Sequence, residues 1–238
     1  DGHTLLLMSN GTAVSAGMFK SLPFDAVKDF SPISTLGFFD IAIVTPAESR
    51  FKTLGELLAF AKANPGKLNL GTINIGSTQN LAAELFQTTS GVDMQIVPFN
   101  GTPAVITALR GGQIDAAVEI LGPVLPQINA KALRALAVTG EKRAAVLPDV
   151  PTAKESGLPT FVASSWNALA APAKTPKDVI ARLNKEIAAA LSSPDVKKKL
   201  HDLNVEAYAS TPEQASELLS SEIKRWGAVI VRAKIPQQ

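Results

Sequence analysis

The chain has 238 residues, 46% hydrophobic and 18% charged, with a formal net charge of +2. This length suits one large α/β unit or two of about 120 residues each, and no apolar run approaches the ~18 residues of a membrane span. The small charge, with basic residues spread rather than striped with aromatics, excludes nucleic acid as the expected partner, and the absence of cysteine rules out disulfides, thiolate metal sites and thiol redox chemistry.

Along the chain, Asp1-Gly2 reads as a turn and residues 5–8 as a strand. There is neither a basic n-region nor a long apolar h-region, so the expectation is a cytosolic protein or one whose export segment has been removed. The abrupt start also leads us to expect a further element upstream. Short β-rich runs follow at 41–44, 68–71, 95–97, 114–121, 133–138, 161–170 and 205–208. Between them a helix start recurs, a Thr or Ser N-cap often followed by Pro in the first turn: Thr53, Thr102-Pro103, Thr175-Pro176, Ser193-Pro194 and Thr211-Pro212. Thr53 and Glu56 form a capping box that opens a helix over 54–63, and Thr211 with Gln214 opens a long C-terminal one. Strands alternating with helices of this length predict βαβ units and mostly parallel sheets.

Two polar turns end strands and begin helices. Gly76, Ser77, Thr78 and Gln79 lead into a helix over 81–88, and Asn100, Gly101 and Thr102 lead into the helix closed by Gly111-Gly112. Each is either a capped turn or a binding loop, because a helix N-terminus offers unpaired N–H groups and the positive end of its dipole to an anion. Ligands in open α/β sheets bind beyond the C-terminal ends of strands, so the pair together points to a pocket. Ser9, Asn10 and Thr12 follow the first strand in the same way. Glu119 lies within an apolar run, where a carboxylate must be exposed, paired or facing a polar pocket; Trp166 is a core aromatic or a pocket wall.

Catalytic patterns are poor. A hydrolase triad or a zinc site needs histidine, and only His3 and His201 occur. Ser221 and Lys224 match a Ser-x-x-Lys spacing without companion motifs, and Lys197 to Lys199 fit a solvated helix face. No catalytic residue, metal ligand or cofactor site is expected.

Several stretches in consistent order resemble one family: Asp1-Gly2-His3-Thr4-Leu5-Leu6, Leu22-Pro23-Phe24-Asp25, Ala63-Asn64-Pro65-Gly66-Lys67-Leu68, Gly111-Gly112-Gln113-Ile114-Asp115, Leu133-Arg134-Ala135-Leu136-Ala137-Val138-Thr139 and Leu147-Pro148-Asp149-Val150-Pro151-Thr152. The chain resembles the Bug-type solute-binding proteins of tripartite tricarboxylate transporters. The resemblance implies an α/β fold of two Rossmann-like domains in the type II periplasmic-binding-protein architecture, with domain I formed by 1–46 plus 161–238 and domain II by 47–160. It also implies a periplasmic, monomeric receptor that captures a small organic carboxylate in an interdomain cleft and delivers it to membrane transporter components. The implied ligand residues are Gly76, Ser77, Thr78 and Gln79, with Asn100 to Thr102 beside them; Glu119 stands where the family commonly has a pocket Asp.

Three departures qualify this. The family's N-terminal strand and Gly/Pro-rich loop have no counterpart before Asp1, so this sequence is expected to carry one of two facing carboxylate loops. A frequent His-Ala-Ile-Asn-Pro run appears as Thr12-Ala13-Val14-Ser15-Ala16. If Asp40 and Glu119 both face the cleft, they favour a ligand with an amine or hydroxyl donor. Two other readings stay open, an effector-binding module of a regulator and a hydrolase or transferase using Ser77 or Ser221.

Overall fold

The structure, a computed structural model, describes residues 4–237. The Asp1-Gly2 turn and His3 lie outside the described residues. The chain forms two compact units, Asp1–Phe39 with Ser165–Gln238, and Asp40–Ser164. The chain leaves the first unit inside a strand rather than after one. That strand, β2 (Phe30–Pro46), is 17 residues long, whereas the apolar run 41–44 marks only one of its wholly buried stretches.

In the Asp40–Ser164 unit, β3 (Asn69–Ile73), β4 (Gln95–Phe99) and β5 (Ala116–Ile120) are parallel, joined by helices α3 (Thr78–Ser90) and α4 (Thr102–Arg110). β3 lies between β4 and β5. β2 runs antiparallel to β5, with Ala42 opposite Glu119, and to β6 (Leu133–Val138), so the sheet is mixed and its parallel ladders are confined to β3, β4 and β5. Parallel neighbours need crossovers that cover the sheet faces, which is why Leu70, Ala116, Ala117 and Val118 are all buried. Because α3 carries the chain to one side of β3 and α4 returns it to the other, the C-terminal ends of β3 and β5 border the point where the strand order switches.

α2 (Leu54–Ala63) begins at the expected box: the Glu56 N–H donates to Thr53 Oγ1 at 3.2 Å and the Thr53 N–H to Glu56 Oε2 at 3.3 Å. α5 (Leu121–Asn129) is not among the helices expected from the sequence, and its Gly122, Pro123 and Pro126 are poor helix formers. Leu121 and Val124 enter the core beside Val105, Leu109 and Leu133, and this burial outweighs the helix cost of Pro126.

The other unit contains β1 (Leu6–Ser9), antiparallel to β7 (Ser164–Pro172), and β8 (Val205–Ala207), which pairs with Gly37 to Phe39 of β2. Its helices are α1 (Asn10–Met18), α6 (Lys177–Ser192), α7 (Pro194–Asp202) and α8 (Pro212–Arg232). α1 packs along α8, where a Cβ on Gly17 would lie 3.3 Å from the Gly227 Cα. The C-terminal helix opens on the expected Thr211–Gln214 box. Thr102, Thr175 and Ser193 make no side-chain cap bond.

Two glycines on these elements differ in what surrounds them. A Cβ on Gly37 would lie 2.7 Å from both the Glu206 carbonyl oxygen and Val205 Cγ1, whereas one on Gly55, in the first turn of α2, meets nothing nearer than Thr53 Oγ1 at 3.8 Å. Gly37→Ala is therefore expected to lower stability by ~1–3 kcal/mol by forcing β8 off β2. Gly55→Ala is expected to raise it by up to about 1 kcal/mol. Thermal denaturation of the two variants checks this, and a neutral Gly37→Ala would show that β8 yields without cost.

Candidate ligand-binding site

The turn from β3 to α3 is braced by its own polar side chains. Gly76 adopts φ 79°, a conformation open to glycine and strained for most residues, and its N–H donates to Asn80 Oδ1 at 3.1 Å. Ser77 is the N-cap: its N–H donates to the Asn74 carbonyl at 3.0 Å and its Oγ accepts the Asn80 N–H at 3.1 Å. Asn80 Nδ2 reaches back to Thr72 Oγ1 on β3 at 3.3 Å. These bonds fix the first turn of α3 against the strand and leave the Gln79 side chain, itself buried, directed at β5.

The turn from β4 to α4 works differently. Gly101 is the N-cap, with φ 89° and no side chain to offer, while Asn100 is exposed. Thr102 is thereby the first helical residue, and its hydroxyl does not cap the helix. It donates to Glu119 Oε2 at 2.9 Å.

Glu119, on β5, is wholly buried. Its Oε2 also accepts from Gln79 Nε2, at a long 3.4 Å. Its Oε1 is buried with no hydrogen-bond partner among the described residues. Burial pushes the Glu119 carboxyl up to about 7, partly offset by the hydrogen bonds from Thr102, Gln79 and the backbone of Ile120. No cation contributes to the shift, so close to neutral pH a large fraction of this carboxyl is protonated. The site thus consists of two helix N-termini at strand ends, with a buried acid beneath them that keeps one oxygen unused.

The remaining expected residues have other positions. Ser9, Asn10 and Thr12 do not form a surface turn. Ser9 is the N-cap of α1, its Oγ accepting the Gly11 N–H at 3.2 Å and its N–H donating to Thr12 Oγ1 at 3.2 Å. Asn10 is wholly buried, and its Oδ1 accepts the Trp226 indole N–H at 2.7 Å; the same N–H is 2.7 Å from Glu222 Oε2. A small polar run after a strand has here become a capping box and a core hydrogen bond. Trp166, on β7, is buried, and its Nε1 has no partner among the described residues. Ser221 lies in α8 and donates to the Leu218 carbonyl at 2.9 Å, and His201 sits exposed in the last turn of α7. Asn80 and Thr72, which brace the α3 turn, flank the turn the sequence marks, but nothing in the sequence distinguishes buried Asn80 from exposed Asn74.

The two-unit α/β fold is that of type II periplasmic binding proteins, solved examples of which superpose on this chain. The family model described as "Tripartite tricarboxylate transporter family receptor" matches residues 1–235. The chain belongs to this family of solute-binding receptors, as the sequence resemblance implied. Protein BugT of Bordetella pertussis is 34% identical over 232 residues, 97% of this chain and 71% of that protein. Among solved structures, Rpa4515 of R. palustris with adipate is 28% identical with a TM-score of 0.86, over 98% of this chain and 79% of its own. MatC of Rhodopseudomonas palustris with bound malate is 31% identical with a TM-score of 0.80, over 97% and 80%.

The buried acid has a consequence for stability. Its folded-state pKa is raised, so between the ordinary carboxylate range and about 7 the folded chain holds a proton that the unfolded chain has released. Stability is then lost as pH rises through that window, by on the order of 3 kcal/mol at ~1.4 kcal/mol per pH unit. Glu119→Gln should remove this part of the pH dependence. Urea denaturation of both proteins across the window, without ligand, checks it; parallel curves would mean the Glu119 carboxyl is not perturbed.

Proposed function

We propose that this chain is a periplasmic receptor that captures a small organic carboxylate, acts as a monomer and delivers its ligand to the membrane components of a tripartite tricarboxylate-type transporter. The observation that carries the ligand reading is the convergence of Gln79 and Thr102 on buried Glu119, at the strand ends where α3 and α4 begin. Gly76, Ser77, Thr78 and Gln79 on one turn, and Asn100, Gly101 and Thr102 on the other, would supply N–H and hydroxyl donors to a carboxylate, which the positive ends of the helix dipoles favour. Relatives with the same fold hold adipate and malate, both dicarboxylates. Transport coupling and location rest on the family alone.

A receptor reading is preferred to hydrolysis because the Ser77 Oγ is committed to its cap, where it accepts the Asn80 N–H.

A panel of mono-, di- and aromatic carboxylates is expected to contain members that raise the melting temperature; at about 100 times Kd the stabilisation is ~2.7 kcal/mol. Failure of every member, on the full mature protein, would sink the proposal. Ser77→Ala is expected to lower stability by ~1 kcal/mol through loss of the cap and to weaken ligand binding. Product formation from any ester or amide that disappears in Ser77→Ala would instead establish an enzyme.

A further inference from the structure

We infer that the unit containing α6 and α8 has a binding groove of its own, on the face where these two helices begin. It takes an ω-amino carboxylate, with the carboxylate at the start of α6, the ammonium group on Glu217 and an apolar spacer joining them. The groove lies wholly within this unit and is independent of the site around Glu119, which belongs to the other.

The groove has a volume of about 750 Å³, in the size range of small-molecule sites. Its walls are two helix faces. α6 presents Lys177, Ile180 and Ala181, and α8 presents Glu213, Ser216, Glu217 and Ser220, each set at the three- and four-residue spacing of one face. Phe30 and Pro32, from the start of β2, line it together with Ala173. This part is held in place from behind: Phe24 meets Phe30 edge-on with ring centroids 5.7 Å apart, the Ala173 N–H donates to the Asp29 carbonyl at 2.9 Å, and Ser31 Oγ donates to the Ala173 carbonyl at 3.4 Å.

The two helix starts differ in what they leave unmet. α8 is closed by the Thr211–Gln214 box, and the Glu213 carboxylate is engaged by its own N–H and by the Thr211 hydroxyl, which hold it below the ordinary carboxylate range. α6 lacks such a closure. Its N-cap is Pro176, which has no polar side chain, so the first-turn N–H groups and the positive end of the dipole stay without a side-chain acceptor. Thr175, one residue too early to cap, lines the groove at 7% exposure, and its Oγ1 has no partner among the described residues. A buried hydroxyl left unpaired costs free energy that an acceptor from outside the chain recovers. With Lys177 at the first helical position, this end of the groove offers donors and positive charge to an anion.

The α8 wall has the opposite sign. Glu213 is already engaged, whereas Glu217, one turn further on, makes no ion pair among the described residues, and neither does Lys177. A cation and an acid thus line one groove without meeting, and a ligand charged at both ends satisfies the two together. The spacer follows from Phe30, Pro32 and Ile180, which are partly buried and apolar. Methylene groups gain by leaving water against such a surface, whereas a peptide spacer would bring amide groups to it without partners.

The test is an amide NMR titration of the protein with 6-aminohexanoate, hexanoate, hexylamine and triglycine. 6-Aminohexanoate is expected to shift the amides of 177–181 and 213–220, with a Kd at least about tenfold lower than that of each of the other three. Lys177→Gln and Glu217→Gln should each weaken it by about tenfold. Thr175→Val should weaken it by about threefold without lowering the melting temperature, because the hydroxyl it removes has no partner in the fold. Equal affinity for hexanoate or hexylamine, shifts confined to the turns that carry Gln79 and Thr102, a lowered melting temperature in Thr175→Val, or no binding at all would each overturn the inference. Tighter binding of triglycine would overturn the ligand class. All of these results leave the receptor reading of the other unit as it stands.

Discussion

A carboxyl buried at the end of a strand must be met by donors or stay neutral, and the first turns of two helices are arranged around that requirement. Glu119 is reached by Gln79 from α3 and by Thr102 from α4, both on the same oxygen. Thr102 can do this because Gly101, at φ 89°, takes the N-cap position and lets the chain enter α4 with the hydroxyl free. Gln79 can do it because Gly76, Ser77 and Asn80 lock the preceding turn without using the Gln79 side chain. A strong N-cap at one helix and an absent one at the other serve the same acid.

The parallel β3, β4 and β5 supply the frame. Crossover helices on parallel strands all begin at the same end of the sheet, so polar turns well apart in sequence are brought to adjacent strand ends. The antiparallel β2 then closes the other side of β5 and places small Ala42 opposite Glu119, which completes its burial with no added donor or charge.

In the unit that contains α1 and α8 the same residue types serve stability. Ser9 and Thr12 cap α1, while Asn10 and Glu222 share the indole N–H of Trp226 in the interior. Trp226 would otherwise bury a donor without an acceptor, at a cost of about 1–3 kcal/mol. A polar triplet after a strand is thus compatible with ligand contact or with core satisfaction, and the long-range partner decides which.

The sequence by itself determined the α/β class, the helix starts at Thr53 and Thr211, the positions of the strands other than β2 to within a few residues and the two polar turns, because these depend on local periodicity and on bonds spanning three or four residues. It also marked Glu119 as a carboxylate out of place in an apolar run. Only the tertiary structure decided that β2 runs on well beyond its apolar segment, that 121–129 is helical despite its prolines, and that Thr102 serves Glu119 rather than its own helix. It also placed Asn10 in the interior, against the Trp226 indole N–H. Each of these turns on contacts between residues distant in sequence, where burial and hydrogen-bond demand override local preference.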